Sequence, residues 1–379
     1  MHEMLSALIK RGVDVTVVIP RRYELIEGDR SGVTVVGAPY APRALQIWGY
    51  SKSLDARNRL RPSVLAMAPS ALTSMGLVLR RQILSNRPDL VHLHWALPQG
   101  LLVPAVPEDM PVVISAHGAD ARFARGMLRP VARRILERAD ALVAASSQIL
   151  ELLSEVEPSI TAKSYVIPHG ANTEVFVPIS KGDAKAALGV DPQFPMVLGV
   201  GRLVSKKGFA SLIQSMGLLA DTNALLYIVG EGPERRLLEN LIRETGTRAT
   251  LVGAQPREMV ATWMAASDVV VVPGIADRED VDSGPVVLME ALAMGRPVVA
   301  SHVGMAPDLI EDGINGYLLK SSSPDSIATA VHSAIVNTEQ LGDGARNTFE
   351  SVGDWHRVAQ QLEMVYESVV TVSKNSSNN

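Results

Sequence analysis

Asp282-Ser-Gly-Pro-Val-Val-Leu-Met-Glu290-Ala-Leu-Ala-Met-Gly295-Arg-Pro297-Val-Val-Ala300 decides the reading of this chain. Gly284 and Pro285 sit where a helix starts, Gly295 sits just past its last apolar turn, and Val298 to Ala300 read as a short buried strand. The backbone of Gly284, Pro285, Val286 and Val287 thus forms a helix N-terminus, whose partial positive charge suits a phosphate. Asp282 precedes that N-terminus and Glu290 lies two turns beyond it. Both carboxylates can accept hydrogen bonds from sugar or ribose hydroxyls, so the stretch outlines a site for a nucleotide sugar.

Working outward, short apolar runs alternate with helical patterns. Strands are expected at 13–19, 33–36, 90–93, 112–115, 141–145 and 165–167, and after a polar stretch at 196–200, 225–229, 250–252, 269–272 and 298–300. Each interval has room for a helix, so both halves read as βα repeats with parallel sheets. The expected fold class is α/β, two Rossmann-like doubly wound domains facing a cleft. The expected boundaries are 1–176 for the first domain, 177–192 for a Lys- and Asp-rich linker and 193–354 for the second domain. A helix over 355–372 and a disordered tail over 373–379 complete the chain.

Composition agrees. The 379 residues are 47% hydrophobic, enough for two cores, but aromatics are only 4%, so aliphatic side chains must fill them. With no cysteine, disulfides, thiolate metal sites and a Cys nucleophile are excluded. No apolar run approaches the roughly 20 residues that span a bilayer, and the first ten residues do not make a signal peptide. The chain is expected to be soluble and cytoplasmic. Residues 1–175 hold 20 Lys and Arg against 16 Asp and Glu, while the rest of the chain holds 16 against 24. A mildly basic first half is compatible with an anionic membrane surface and nothing stronger, so no nucleic-acid partner is expected. Arg122, Arg125, Arg129, Arg133, Arg134 and Arg138 fall near helical spacing around a break at Gly126. We read them as the solvated face of a core helix, in preference to a peripheral membrane contact.

The second half adds Gly199-Val-Gly201-Arg202-Leu-Val-Ser-Lys206-Lys207-Gly208 between a strand and a helix. Its glycines permit close backbone approach, and Arg202 and Lys207 can neutralise a diphosphate. Gly230-Glu-Gly-Pro and Val252-Gly253 end the next two strands. Either turn could lie beside a nucleobase or ribose, or be a βα loop and no more. In the first half, His117 ends a strand and is followed by Gly118, a candidate site. His92 and His94 flank a strand end, where packing or a satisfied hydrogen bond is the simpler reading, and His169 reads as structural. Asp280-Val-Asp282 has no second ligand set and reads as chance.

These residues resemble the retaining GT-B glycosyltransferases of family 4 (glycosyl transferases group 1). The resemblance rests on Gly201-Arg202-Leu with Lys207-Gly208, Gly230-Glu-Gly-Pro, Val252-Gly253 and the segment ending Glu290-Ala-Leu-Ala-Met-Gly295-Arg-Pro. In the first half it rests on Val91-His-Leu-His94-Trp-Ala-Leu-Pro, Ser115-Ala-His117-Gly118-Ala-Asp120 and Val166-Ile-Pro-His169-Gly170, and it covers nearly the whole chain. It implies hexosyl transfer from a nucleotide-diphosphate sugar to a carbohydrate or lipid-linked acceptor, without a metal or cofactor. Arg202 and Lys207 would stabilise the departing diphosphate, helped by the helix start at Gly284 to Val287. Glu290 would bind the ribose, Asp282 the donor sugar, and Gly201, Gly230 and Gly253 would line the donor side. His94, His117, Gly118 and Asp120 would stand on the acceptor side, with His117 near the anomeric centre.

This sequence departs from the family twice. The first acid, usually Glu, is Asp282, with Glu279 and Asp280 as alternatives in the same loop. Glu3 to Ile19 resembles the family's first helix and second strand, so a central strand and its Gly-rich turn are absent, as expected for a start assigned too late. The other functional readings are a non-catalytic nucleotide-sugar-binding or scaffold protein, and an epimerase or phosphorylase of the same architecture.

Overall fold

The computed structural model describes residues 2–21, 28–30, 32–42, 45–46, 62–275 and 286–377. The chain forms two compact units, one of residues 1–145, 149–167 and 356–379, the other of residues 146–148 and 168–355.

In the second unit, six parallel strands form one sheet: β8 (Met196–Val200), β9 (Leu225–Val229), β10 (Ala249–Gly253), β11 (Val269–Val272), β12 (Val298–Ser301) and β13 (Gly316–Leu319). Their spatial order is β10-β9-β8-β11-β12-β13, so the chain runs outward one way from β8 and then outward the other way from β11. The central strands are nearly pure aliphatic, Val-Val-Val-Val in β11, because helices cover both faces and leave no solvated side to alternate with. Helix Val286–Ala293 carries the same logic further: every residue from Val287 to Ala293 is buried, so it is a core helix with no polar face. Strand β13 went unforeseen because Gly316 opens it. A Cβ there would meet the Val298 carbonyl oxygen at 1.9 Å, so glycine is what lets β13 approach β12.

The polar stretch read as a linker contains a helix, Lys181–Leu188, capped by the Ser180 hydroxyl and ended by a left-handed Gly189. Its lysines are ion-pair partners, Lys185 buried and Lys181 half-buried, which composition alone does not reveal. Lys181 donates to Asp268 at 2.6 Å, and Lys185 donates to Asp268 at 3.2 Å and to the Phe194 carbonyl at 2.8 Å. Burial works against the Asp268 carboxylate, yet the bonds from Lys181 and the Met196 amide hold it below the usual carboxylate range.

The first unit differs from a single doubly wound sheet. Strands β1 (Val15–Pro20), β2 (Gly28–Arg30) and β3 (Val33–Ala38) form one sheet in the order β1-β3-β2, with β2 antiparallel. Strands β4 (Val91–His94), β5 (Val112–Ala116), β6 (Ala141–Ala144) and β7 (Ser164–Val166) form a second, parallel sheet. Among the described residues no ladder joins the two sheets. The last helix, Trp355–Ser377, runs through residues expected to be disordered, and from His356 on it belongs to this first unit. Arg11 donates to Glu363 in the body of this helix and Ser373 in its last turns to the Asp109 carbonyl, so partners far away in sequence hold it at both places.

Candidate functional site

In the second unit, the reversal of strand order between β8 and β11 opens a crevice at their C-terminal ends, the position where doubly wound sheets bind ligands. A pocket lies there, lined by Val200, Val272, Pro273 and Gly274 at the strand ends, Lys206 and Lys207 from the loop after β8, and Ser301 from the end of β12. The basic loop is pinned over it. Ser205–Lys207 makes one tight turn, Gly208 closes that turn in the left-handed region, and the Ile275 amide donates to the Lys206 carbonyl at 2.9 Å. A Cβ on Gly208 would fall 1.9 Å from the Pro273 carbonyl oxygen. Lys206 and Lys207 are half-buried, whereas Arg202 is exposed and not among the pocket-lining residues.

The three strand-end glycines stand side by side. The Gly201 amide donates to the Val229 carbonyl at 3.0 Å and the Gly230 amide to the Gly253 carbonyl at 2.9 Å. A Cβ on Gly230 would meet the Gly201 carbonyl oxygen at 1.8 Å, so this glycine lets adjacent loops touch. That gives it a packing role whatever lies beside it.

Glu290 is 9% exposed. Its Oε1 accepts from Arg257 at 3.3 Å, and the Arg257 guanidinium lies over the Phe176 ring, 5.6 Å from its centroid. Arg257 was missed by sequence reasoning, although it follows directly on Gly253-Ala-Gln-Pro. Val286 and Val287 begin the helix that carries Glu290, with Val287 in the core. Asp282, Gly284 and Pro285, with Glu279 and Asp280, lie outside the described residues.

In the first unit, the predicted histidines come together. The Nδ1 of His94 and the Nε2 of His117 are 3.1 Å apart, hydrogen-bonded. The His92 ring stacks on His94 with centroids 4.4 Å apart, and is itself fixed by Tyr366 Oη at 2.7 Å on Nδ1 and Ser115 Oγ at 2.8 Å on Nε2. Burial, with His117 close by, holds the His92 imidazole down to about 3, so it is neutral at physiological pH. The same burial pushes the Tyr366 hydroxyl up.

Asp120, an acceptor-side residue by resemblance, has each of its carboxylate oxygens on a backbone amide. It is fully buried and bonds backbone, its Oδ1 accepting the His117 amide at 3.0 Å and its Oδ2 the Ala96 amide at 2.8 Å. Burial raises its carboxyl above the ordinary value. Gly118, at φ 98°, turns the chain between His117 and the helix holding Asp120. Asp120 therefore clamps the two loops that carry the histidines. The other residue missed is Trp95. At φ 87°, a rare conformation for an aromatic residue, it is held by its amide on the Ser115 carbonyl at 2.6 Å. Its indole is 36% exposed, 6.4 Å from the His117 ring.

The arginine-rich stretch forms helices Ala119–Arg125 and Arg129–Arg138, split at Gly126 as expected. Acidic partners take up part of its charge: Arg125 pairs with Glu155, Arg133 with Glu137 and Glu157, and Arg138 with Asp140. Among the described residues, no helix is long and apolar enough to cross a membrane, and no group of acidic or His side chains is placed to hold a metal ion.

Comparison with known proteins yields matches over both units. Residues 1–175 match the family described as Glycosyltransferase Family 4, and residues 180–349 match Glycosyl transferases group 1. The chain is 30% identical over 309 residues to a D-inositol 3-phosphate glycosyltransferase of Nocardiopsis dassonvillei, covering 74% of this chain and 70% of that protein. It is 26% identical to the candidate teichuronic acid biosynthesis glycosyltransferase TuaC of Bacillus subtilis, over 98% of this chain and 94% of the other. Its fold is similar to that of sucrose-phosphate synthase from Thermosynechococcus elongatus, with TM-score 0.79, 22% identity, and 98% and 92% of the two chains covered. It is also similar to Anabaena HepE in complex with UDP and glucose, with TM-score 0.69, 19% identity, and 96% and 95% covered.

Proposed function

This chain belongs to glycosyltransferase family 4, with the GT-B architecture, and from that premise we propose that it moves a hexosyl group from a nucleotide-diphosphate sugar to a carbohydrate or lipid-linked acceptor with retention of anomeric configuration. The observation that carries the donor side is the pocket at the β8–β11 reversal, with Lys206 and Lys207 fixed over its strand-end floor. Cationic groups at that point attract a diphosphate and stabilise the charge that grows on it as it departs. In this reading Arg202 joins Lys207 on the diphosphate when the donor binds, and the two supply the positive charge that a metal would otherwise bring. Glu290, held by Arg257, accepts hydrogen bonds from the ribose hydroxyls. Asp282 contacts the donor sugar, and His117 serves the acceptor side. The departing phosphate oxygen takes the acceptor proton, so donor and acceptor react on one face. HepE has been solved with UDP, and a starch synthase IV with ADP, which supports a nucleoside diphosphate as ligand class without choosing the base.

The test is calorimetric binding of UDP, GDP and ADP to the chain and to Glu290→Ala. We expect one nucleotide to bind, and affinity to fall about 10- to 100-fold in the variant, the worth of one or two hydrogen bonds to a carboxylate. Absence of binding to any of the three by the folded protein would overturn the donor reading and favour a scaffold. Product anomeric configuration, read by proton NMR, tests retention separately.

A further inference from the structure

The backbone around Trp95 is fixed on every side, while its ring is left open. Trp95 follows β4 at φ 87°, where glycine sits without strain and an aromatic residue does not. Its amide donates to the Ser115 carbonyl at 2.6 Å, its carbonyl accepts the Gly100 amide at 3.2 Å, and the next amide, of Ala96, is taken by the buried Asp120 at 2.8 Å. A residue persists in such a conformation only where its surroundings over-determine it, as these three bonds do. The side chain therefore has a fixed direction.

That direction is not into the core. Among the described tryptophans, Trp263 is buried and Trp355 half-buried, each with its indole N–H shut away from solvent, whereas Trp95 is 36% exposed. No described residue accepts the Trp95 indole N–H. Its aromatic neighbour is the His117 ring, 6.4 Å away and tilted by 48°, so His117 stands beside the indole rather than flat upon it. The indole thus offers a rigid apolar surface with a donor at its rim, next to the histidine assigned to the acceptor side.

We propose that Trp95 is the stacking residue of the acceptor subsite, and that it takes one sugar ring of the acceptor against its indole beside His117. This rests on the reading that puts the acceptor at His117, and it names a carbohydrate group as what that subsite holds. A sugar ring has a C–H face that packs on the negative face of an indole and hydroxyls at its edge that can accept the indole N–H. An acyl chain would cover the same surface and strand the donor, which costs free energy that the sugar does not lose. A locked backbone serves this purpose, because a ring that is already oriented gives up less freedom when the sugar arrives.

The experiment is 19F NMR of the full chain labelled with 5-fluorotryptophan, titrated with the methyl glycosides of glucose, galactose, mannose and N-acetylglucosamine and, separately, with octanol. Trp95→Phe assigns the Trp95 line. A saturable shift of that line with at least one glycoside is expected, the line of the buried Trp263 staying where it is. Affinity for the same glycoside, read from its own proton spectrum, should drop about tenfold in Trp95→Ala and about threefold in Trp95→Phe, which keeps a ring and loses the N–H. A glycoside that binds without moving the Trp95 line, equal affinity in Trp95→Ala, a line that answers to octanol alone, or silence toward every probe overturns the proposal. If Trp95→Ala is unfolded by circular dichroism, the parent titration and Trp95→Phe decide the matter. The 15N signals of His117, followed in the same titrations, separate the two layers. A glycoside that moves His117 and not Trp95 sinks this proposal and leaves the acceptor-side reading standing, and one that binds and moves neither sinks both.

Discussion

The two units build their candidate sites from different materials. In the second unit the site is backbone: Gly201, Gly208, Gly230 and Gly253 bring loops together at strand ends, and the lysines ride on a turn that the main chain holds in place. In the first unit the site is side chains: three stacked imidazoles held by Ser115 and Tyr366, with Asp120 clamping their loops. A backbone-built site tolerates few changes at its glycines but many around them. A site built from side chains depends on partners hundreds of residues apart, and fails by losing hydrogen bonds rather than by steric clash.

The sharpest way to break this contrast is at the glycines. Gly208→Ala places a methyl 1.9 Å from the Pro273 carbonyl oxygen at a left-handed φ of 69°, and Gly230→Ala places one 1.8 Å from the Gly201 carbonyl oxygen. Each should cost about 3 kcal/mol or more in urea unfolding and abolish nucleotide binding. Wild-type stability in either variant would show that these loops move apart freely, and that the backbone does not hold the site.

Asp120→Ala comes next. It strands the amides of His117 and Ala96 in a buried setting and should cost about 2 to 4 kcal/mol, with the His117 ring losing its fixed position by NMR. Asp120→Asn should keep part of this, because its side-chain oxygen still accepts one amide. Equal loss in both variants would mean that negative charge, rather than bond geometry, is what the loops need.

Near neutral pH the smallest effect is that of His92, which shows only as a pH dependence in acid. Its folded value of about 3 lies below the unfolded 6.5, so below pH 6.5 the unfolded chain binds the extra proton and stability falls as pH drops toward 3. The slope from this residue is at most about 1.4 kcal/mol per pH unit. His92→Gln should flatten that limb in acid unfolding monitored by circular dichroism. An unchanged limb would place the acid sensitivity elsewhere.

These differences follow what was legible beforehand. Strands β8 to β12 were readable because a buried parallel strand must be apolar throughout, and the turns after them because glycine at a strand end has few other uses. β13 was missed because it begins with a glycine, and the helix Lys181–Leu188 was taken for a linker because lysines that look solvated are in fact paired with Asp268. The pairing of Arg257 with Glu290 was invisible for a similar reason: 33 residues separate them, and no local pattern records the contact.

The sequence by itself determined the α/β class and most of the strands in each half, since these depend on periodicity and local spacing, and its glycine turns and the Glu290 segment carried the resemblance to the family. Only the tertiary structure decided what those residues do to one another. It made Asp120 a buried clamp on two loops, bonded His94 to His117, and set Tyr366 behind His92 across 274 positions of chain. The physical reason is that hydrogen bonds and burial act over a few ångströms of space, which folding assembles from residues that sequence distance keeps apart.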